Sequence, residues 1–381
     1  MMAFSPNPVD KRLNCLDLAR GLAAIAVCAG HLRSFIFVDW TQIQQERTWP
    51  DHLFYFFTGL GDQAVVVFFV MSGFLVGGSI ASAWENGTWS ATKYSFRRIA
   101  RLETVLIPAL LLTLFWDCLG KAVTNDVGYD GSLYQFINSG PSVDKSLSND
   151  PVTFWGNITF LMTIAVPIYG TNGPLWSLAN EFWYYVIFPL AWISLHGSAI
   201  QRVVCVVTIA MIAVWLPRAI LLSGTIWLFG YGAWYVGTKP NCKSFFGHPL
   251  WLAGTSVSFL ISLFGSKTAH WFGTDVSVGF AFALLVTALA VRKGNSPSPF
   301  GTISKALAGM SYTLYLFHFP FLSFIWFSFF APQQFHPGVS GYGLFAIALS
   351  ITLAYAYVMW WCFERHTDKV RGYLERWCQG A

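Results

Sequence analysis

The chain has 381 residues, of which 55% are hydrophobic, 18% are aromatic and only 11% are charged. Soluble domains carry about 25% charged residues, so this composition excludes an ordinary soluble protein and indicates a chain that crosses a membrane several times. We attribute the formal net charge of +5 to basic loops beside the membrane rather than to nucleic-acid binding.

Apolar runs separated by Gly, Pro and charged residues predict an all-α polytopic membrane protein with a bundle of about ten transmembrane helices. The predicted spans are 16–38, 60–83, 102–119, 174–194, 202–217, 219–237, 248–265, 275–291, 309–330 and 342–363. The fifth and sixth are poorly separated, so a single kinked hairpin is the alternative there. We treat 1–381 as one domain, with an N-terminal segment of about 1–15, the bundle at 16–363 and a tail at 364–381. A cleavable signal sequence is not expected, because no small-residue cleavage site follows the long first apolar run.

The first predicted span, LDLARGLAAIAVCAGHLRSFIFV, carries Arg20 and His31. Eleven helical steps separate them by about 16 Å along the axis and bring them back to nearly the same face. Ionisable groups inside a membrane usually face the bundle interior and serve function, so we predict that this helix is catalytic. Asp17 is expected to pair with Arg20 and position it. In the alternative interpretation, Arg20 reaches the lipid interface and His31 hydrogen-bonds a neighbouring helix.

Three arginines lie at the start of the third span, in the segment KYSFRRIARLE at 93–103. Arg98 and Arg101 are three residues apart and share one helical face, and Arg97 flanks them. Guanidinium groups grip phosphate in a bidentate manner without losing their charge. The cluster is therefore a candidate phosphate site, although anchoring of a helix end at lipid headgroups explains the spacing equally well.

The longest polar stretch, 120–153, precedes the apolar segment FWGNITFLMTIAVPIYG at 154–170. This segment is short and interrupted, so we interpret it as re-entrant or interfacial rather than as an eleventh span. The alternative, that it crosses the membrane, stays open.

Glu181 is the lone carboxylate of the fourth span, GPLWSLANEFWYYVIFPL. Its expected depth is close to that of His31, and a carboxylate beside an imidazole can fix its tautomer and stabilise the imidazolium. We therefore predict that Glu181 orients His31. The alternative is a packing role, in which Glu181 pairs with another polar group such as Asn180.

His318 lies in the ninth span and is followed two residues later by Pro320. A proline weakens the helical ladder and frees carbonyl groups that His318 or water could satisfy. A lone histidine on an aromatic-rich face is more often structural than catalytic, so we assign His318 a supporting role.

The basic residues predict the orientation. With an even number of spans both termini share one side, and that side carries 16 of the 23 Lys and Arg residues, against 6 on the other. By the positive-inside rule, both termini are cytoplasmic and the protein is a multi-pass protein of the inner (plasma) membrane.

Six motifs occur in the order in which one known family carries them: LDLARGLAAIAVCAGH, FFVMSGFL, FRRIAR, GPLWSLANEFWYY, SYTLYLFHFP and FERHTDK. Each motif is weak alone, but the ordered set, from about residue 11 to 370, is specific. The chain resembles the membrane acyltransferase 3 family, integral-membrane enzymes that O-acylate cell-surface polysaccharides, O-antigens, peptidoglycan and lipo-oligosaccharides. Some members carry an additional extracellular esterase-like domain, and we expect this chain to act without one.

The resemblance implies roles for specific residues. Arg20 and His31 match an Arg/Lys-x10-His pattern that carries the essential histidine, and Arg98 and Arg101 match an Arg-x-x-Arg motif implicated in acyl-CoA use. The remaining matched positions are the acidic residue Glu181 between Trp176 and Tyr185, and Tyr312, Tyr315 and His318 of the SYxxYLxH motif.

The chain departs from the family pattern after the last span. Many members have proline after a Glu-Arg pair, whereas His366 follows Glu364 and Arg365 here. This difference concerns the C-terminal boundary more than catalysis.

Together these observations predict an O-acyltransferase that uses acyl-CoA, with acetyl-CoA as the favoured donor, and a saccharide or glycolipid acceptor at the lipid bilayer. The donor phosphates would bind Arg97, Arg98 and Arg101. His31 would act as general base or carry the acyl group itself, and Arg20 would hold the donor or stabilise charge at the thioester oxygen. No metal-ligand spacing is present and no metal is expected.

Two alternatives belong to other classes. A transporter or flippase for an anionic or lipid-linked solute would also use buried Arg, His and Glu residues, but the chain shows no internal repeat. A membrane enzyme that uses lipid-linked sugars without CoA would be expected to carry a cluster of metal-binding carboxylates, and none is visible.

Overall fold

The computed structural model describes residues 11–43, 47–137, 140–142, 147–267, 272–291 and 301–379. Every regular element in these ranges is helical, which confirms the all-α class. The α-helices are α1 (Lys11–Ile36), α2 (Trp49–Thr58), α3 (Gly61–Ser72), α4 (Gly78–Glu85), α5 (Ala91–Thr124), α6 (Tyr134–Ile137), α7 (Pro151–Ile158), α8 (Leu175–His196), α9 (Ala199–Trp215), α10 (Arg218–Thr238), α11 (Pro240–Phe246), α12 (Pro249–Gly265), α13 (Phe272–Val291), α14 (Gly301–Phe329), α15 (Val339–Cys362) and α16 (Thr367–Gln379). A π-helical segment, Gly73–Gly77, joins α3 to α4, and a short 3-10 segment, Glu364–His366, precedes α16. Within the predicted N-terminal segment and the predicted tail, residues 1–10 and 380–381 lie outside the described ranges.

A helix occupies each of the ten predicted spans, but not every one is shown to cross a membrane. Among the described residues, seven helical segments are long and apolar enough to do so: Cys15–Ile36, Trp49–Glu85, Ala91–Thr124, Arg218–Thr238, Gly273–Val291, Gly301–Phe329 and Val339–Arg376. The helices α9 and α12 are apolar but have only 17 residues each, and α8, which carries Glu181, is not among the seven. The predicted count of about ten crossings is therefore not confirmed. The helices α9 and α10 are separate and are joined at Pro217, so the predicted kinked hairpin alternative is not needed to describe them.

The chain divides into two compact units, each assembled from three separate stretches. Unit 1 comprises Met1–Ala23, Gln63–Trp89 and Trp183–Gly309, and unit 2 comprises Ala24–Asp62, Ser90–Phe182 and Met310–Ala381. Most of the predicted site residues belong to unit 2; those in unit 1 are Asp17, Arg20 and Tyr185.

In unit 1 the π-helical segment packs directly on α10. A Cβ atom added to Gly73 would overlap the Trp227 carbonyl, and one added to Gly230 would overlap the Val70 carbonyl. Helix backbones approach this closely only where small residues line the contact. The glycines of FFVMSGFLVGG therefore act as packing residues that bring two helices together.

The substitution Gly230→Ala will destabilise unit 1, because its methyl group must displace the Val70 backbone, and overpacking of this kind costs about 1–3 kcal/mol. The matched variant is Gly232→Ala on the same helix, where nothing lies within 4 Å of the added atom. That change should be neutral, or stabilising by up to about 1 kcal/mol through helix propensity. Thermal unfolding of the two variants in nanodiscs measures the difference, and equal midpoints would contradict the close contact.

In unit 2 the segment that precedes α8 is tied to α5 by a fully buried carboxylate. Asp117 Oδ1 accepts a hydrogen bond from Thr171 Oγ1 at 2.6 Å, and its Oδ2 accepts from the Thr171 amide at 3.0 Å and from Asn149 Nδ2 at 3.1 Å. A buried carboxylate is tolerated when it is hydrogen-bonded in this way. The C-terminal part of α5 thereby fixes the chain that leads into α8.

Residues 154–170 do not form a spanning helix, in agreement with the prediction. The helix α7 has only eight residues, and turns follow it up to α8. At its start Asp150 accepts from the Thr153 amide at 2.9 Å. Hydrogen bonds from Ser148 and Thr153 hold the pKa of Asp150 well below its usual range, so this cap is charged at neutral pH.

Candidate active site

The structure brings together two histidines that lie in different predicted spans. His31 on α1 and His318 on α14 have ring centroids 5.4 Å apart, with the ring planes tilted by 32°. The rings of Phe319 and His31 are nearly perpendicular, with centroids 4.8 Å apart. His31 is half-buried and His318 is 0% exposed. The catalytic candidate of the first span therefore faces the supporting candidate of the ninth.

The backbone of α14 fixes the orientation of His318. Its Nδ1 lies 2.8 Å from the Leu314 carbonyl oxygen, and a carbonyl only accepts hydrogen bonds, so Nδ1 must carry the hydrogen. The other ring nitrogen, Nε2, is buried and has no hydrogen-bond partner among the described residues. In the neutral ring Nε2 is an acceptor.

Pro320 frees the carbonyl of Leu316, since a proline has no N–H to donate to the residue four positions before it. We expected His318 or water to satisfy such a carbonyl. Instead Asn172 Nδ2 donates to it at 2.9 Å, and the same amide donates to Thr113 Oγ1 at 3.1 Å. The expectation that His318 satisfies the freed carbonyl was therefore wrong. His318 bonds to the Leu314 carbonyl, and Asn172 supplies the hydrogen bond that the Leu316 carbonyl lacks within the helix. The Asn172 Oδ1 atom is buried without a partner among the described residues.

Tyr315 joins α14 to the start of α8. Its hydroxyl lies 2.6 Å from Ser177 Oγ and donates to the Pro174 carbonyl at 3.1 Å. Glu181 is one helical turn after Ser177 on α8 and lies within electrostatic range of Tyr312 and Tyr315. The described contacts of His31 do not include Glu181, so orientation of His31 by Glu181 stays a prediction.

Arg101 forms an ion pair that the sequence analysis did not foresee. Its Nη1 lies 2.5 Å from Glu364 Oε1, and Glu364 Oε2 accepts from Thr313 Oγ1 at 2.6 Å and from the Thr313 amide at 3.1 Å. The Arg101 guanidinium also lies 5.4 Å from the centroid of the Tyr312 ring. Glu364 is only 4% exposed. Glu364 links α5, α14 and the chain that follows α15. In the sequence, its position within the motif FERHTDK was the only feature that pointed to a role for this residue.

The other two arginines of the cluster differ in their surroundings. Arg97 is exposed, and its Nε donates to Glu375 of α16 at 3.1 Å. Arg98 is half-buried and lies over the Tyr94 ring, with 5.6 Å between its guanidinium carbon and the ring centroid. The three arginines therefore share one helix end, where Arg97 contacts Glu375, Arg98 contacts the Tyr94 ring and Arg101 contacts Glu364.

One helix connects the arginine cluster to the histidine pair within unit 2. Thr313, which binds the carboxylate partner of Arg101, and His318 are five residues apart on α14, which is about 7.5 Å along the axis. A substrate held at the arginines could therefore extend along α14 towards the two imidazoles.

The predicted residues of unit 1 have their own partners. Arg20 Nη2 and Asp17 Oδ1 form an ion pair at 3.4 Å, which confirms the expected pairing. Tyr185 accepts at its hydroxyl from Ser72 Oγ at 3.2 Å, and Ser72 Oγ accepts from Trp227 Nε1 at 3.0 Å. Tyr185 thus takes part in the close packing of the π-helical segment.

Across the described ranges, no group of three or more His, Cys, Asp and Glu side chains is placed to hold a metal ion. The chemistry derived below uses the imidazole, carboxylate and guanidinium groups already named.

Comparisons with known proteins point to one class. Residues 13–361 match the family described as "Acyltransferase domain". A protein of Shigella phage Sf6 named "O-acetyl transferase" is 26% identical over 225 residues, which is 57% of this chain and 58% of that protein. An uncharacterized protein of Haemophilus influenzae is 27% identical over 134 residues, or 32% of this chain and 46% of that protein. The chain thus aligns with about half the length of these relatives. No solved structure matches it.

Proposed function

This chain belongs to the acyltransferase 3 family, and on that premise we propose that it is an integral-membrane O-acyltransferase that moves an acyl group from acyl-CoA to a hydroxyl group of a saccharide or glycolipid. The observation that carries the proposal is that His31 of α1 packs against His318 of α14. The same helix α14 carries Thr313, which binds Glu364, the ion-pair partner of Arg101. The name of the phage relative supports acetyl as the group transferred.

In this proposal the donor binds at the start of α5. Phosphate groups of acyl-CoA bind Arg98 and its neighbours Arg97 and Arg101, because guanidinium groups match phosphate oxygens in charge and geometry. The 16-to-6 distribution of basic residues supports a cytoplasmic location for this end of the helix. The protein would then take acyl-CoA from the cytoplasm, in an inner membrane with both termini inside.

The transfer step uses His31 as the base. His31 takes the proton of the acceptor hydroxyl, the oxygen forms a bond to the thioester carbonyl carbon, the carbon–sulfur bond breaks, and the CoA thiolate receives the proton from His31. The products are an ester and CoA. In the alternative route a His31 nitrogen forms a bond to the thioester carbon, the carbon–sulfur bond breaks, and CoA leaves with the ring proton. The acceptor oxygen then forms a bond to the same carbon, the carbon–nitrogen bond breaks, and the hydroxyl proton goes to the imidazole.

Arg20 lies about 16 Å from His31 along α1. This separation favours a role in holding the donor over one at the reacting carbonyl. In the proposal Glu181 orients the His31 imidazole, Tyr312 supports α5 through its hydrogen bond to the Leu102 carbonyl, and Tyr185 supports the packing of the π-helical segment.

The proposal is tested by transfer of label from [14C]acetyl-CoA in native membrane vesicles, together with CoA release by protein in nanodiscs. Wild type should do both. Arg98→Ala should raise the KM for acetyl-CoA by about 10- to 100-fold, the effect of losing one charged hydrogen-bonding group. Arg218→Ala, a matched change at the start of α10, should leave KM within about twofold, as expected for a residue remote from the site.

A wild-type protein that neither releases CoA nor transfers label would exclude this function. A transporter or flippase would give that result, since it consumes no thioester.

A further inference from the structure

We propose that Nε2 of His318 binds the acceptor substrate, by accepting a hydrogen bond from one of its hydroxyl groups next to the hydroxyl that His31 deprotonates. This inference rests on the proposed function and names the chemical class that the site selects: a molecule with neighbouring hydroxyl groups, rather than a lone alcohol.

The first argument is the bonding state of His318. The side chain is 0% exposed, Nδ1–H is committed to the Leu314 carbonyl, and Nε2 has no partner among the described residues. Leaving a buried acceptor unsatisfied costs about 1–3 kcal/mol. A ligand that supplies a hydrogen at Nε2 therefore gains this energy on binding.

The second argument distinguishes the two substrates. The thioester carbonyl and the phosphate oxygens of acyl-CoA only accept hydrogen bonds, so they cannot satisfy Nε2. A hydroxyl group donates one. CoA also carries donors, namely the amide N–H groups and the hydroxyl group of its arm and the amino and hydroxyl groups of its nucleotide, and the experiment below separates them from the acceptor.

The third argument is geometric. Ring centroids only 5.4 Å apart place the two imidazoles at the spacing that neighbouring hydroxyl groups of one molecule can bridge with hydrogen bonds of about 2.8 Å. Phe319 supplies apolar surface at His31, and Gly140 approaches that ring so closely that a Cβ there would lie 3.3 Å from it.

Two replacements of His318 separate the roles of its nitrogens. Asn keeps an N–H near the position of Nδ1, so the bond to Leu314 can persist, but it has no atom at the position of Nε2. Gln places an acceptor oxygen near Nε2 and cannot act as a base in the physiological pH range. We therefore expect His318→Asn to lower label transfer to the acceptor by at least about tenfold, and His318→Gln to stay within about threefold of wild type.

The readouts are acceptor labelling from [14C]acetyl-CoA in native membrane vesicles, equilibrium binding of acetyl-CoA to purified protein, and thermal unfolding. The affinity for acetyl-CoA should be unchanged in both variants. Equal loss of labelling in Asn and Gln, or no loss in Asn, would overturn the inference. Weaker acetyl-CoA binding in the Asn variant would show that Nε2 serves the donor arm and would overturn it too.

If His318→Asn fails to fold, a competition experiment replaces it. Acceptor labelling by wild type and by His318→Gln is then measured in the presence of a glycoside or of its deoxy analogue. The glycoside should compete better against wild type, and equal competition would overturn the inference. A wild type that transfers no label at all would reject the proposed function, and this inference would fall with it.

Discussion

Replacement of His31 by alanine will reduce acyl transfer by a factor of about 10² to 10⁴, the usual contribution of a positioned general base. The ring is half-buried against His318 and Phe319. The protein should still fold, since alanine is compatible with the middle of α1. Initial rates of label transfer in vesicles, with matched amounts of folded protein, measure the loss.

The matched control is His196→Ala. His196 lies at the end of α8, where its Nδ1 bonds to the Trp192 carbonyl at 3.0 Å and its ring stacks on Trp192. This variant should transfer label at the wild-type rate. Activity of His31→Ala within about twofold of wild type, far from the effect of losing a base, would show that His31 is structural and that the mechanism is wrong.

Wild type and His31→Ala also distinguish the general-base route from the acyl-histidine route. In the absence of an acceptor, an acyl-histidine intermediate would leave label on wild-type protein and none on His31→Ala. A general base would leave neither protein labelled.

The second large effect concerns stability. Glu364→Gln will destabilise unit 2 by about 1–3 kcal/mol, because the buried carboxylate loses charged hydrogen bonds while the Arg101 side chain is 35% exposed and stays solvated. The bond to Arg101 at 2.5 Å and the two bonds from Thr313 are the reason. Thermal unfolding in nanodiscs measures the loss.

The control for this prediction is Glu375→Gln, which removes the partner of Arg97 in a pair with side chains 54% and 28% exposed. Exposed pairs contribute at most about 1 kcal/mol, so its midpoint should barely move. A Glu364 variant as stable as this control would contradict the view that the C-terminal chain is held by a buried ion pair.

The helices could be predicted from the sequence because each depends on its own residues. Long apolar runs interrupted by Pro and Gly located α1, α5, α14 and α15 well, and the pairing of Asp17 with Arg20 followed from a spacing of three. The number of membrane crossings was less secure, because α9 and α12 are near the shortest length that spans a bilayer and α8 carries a carboxylate.

The contacts between distant residues could not be predicted in the same way. Arg101 and Glu364 are 263 positions apart, and Asn172 and Leu316 are 144 apart. Nothing in the local pattern selects one partner over the others, because packing of the whole unit decides which helices touch. The need for partners was nonetheless visible: a carboxylate at a span end requires a cation or donors, and the residue four before a proline requires a donor.

The helix α5 also sets the distance between two points at which other parts of unit 2 are attached. Its N-terminal turns carry Arg101, while Thr113 and Asp117, one turn apart, hold Asn172 and Thr171. Twelve residues of α5, with Pro108 among them, set about 18 Å between the levels of Arg101 and Thr113. The same helix therefore fixes the ion pair with Glu364 at one level and the chain that leads into α8 at the other. Inserting one helical turn between the two levels would break one of these attachments, because Glu364 and Asn172 both also bind α14.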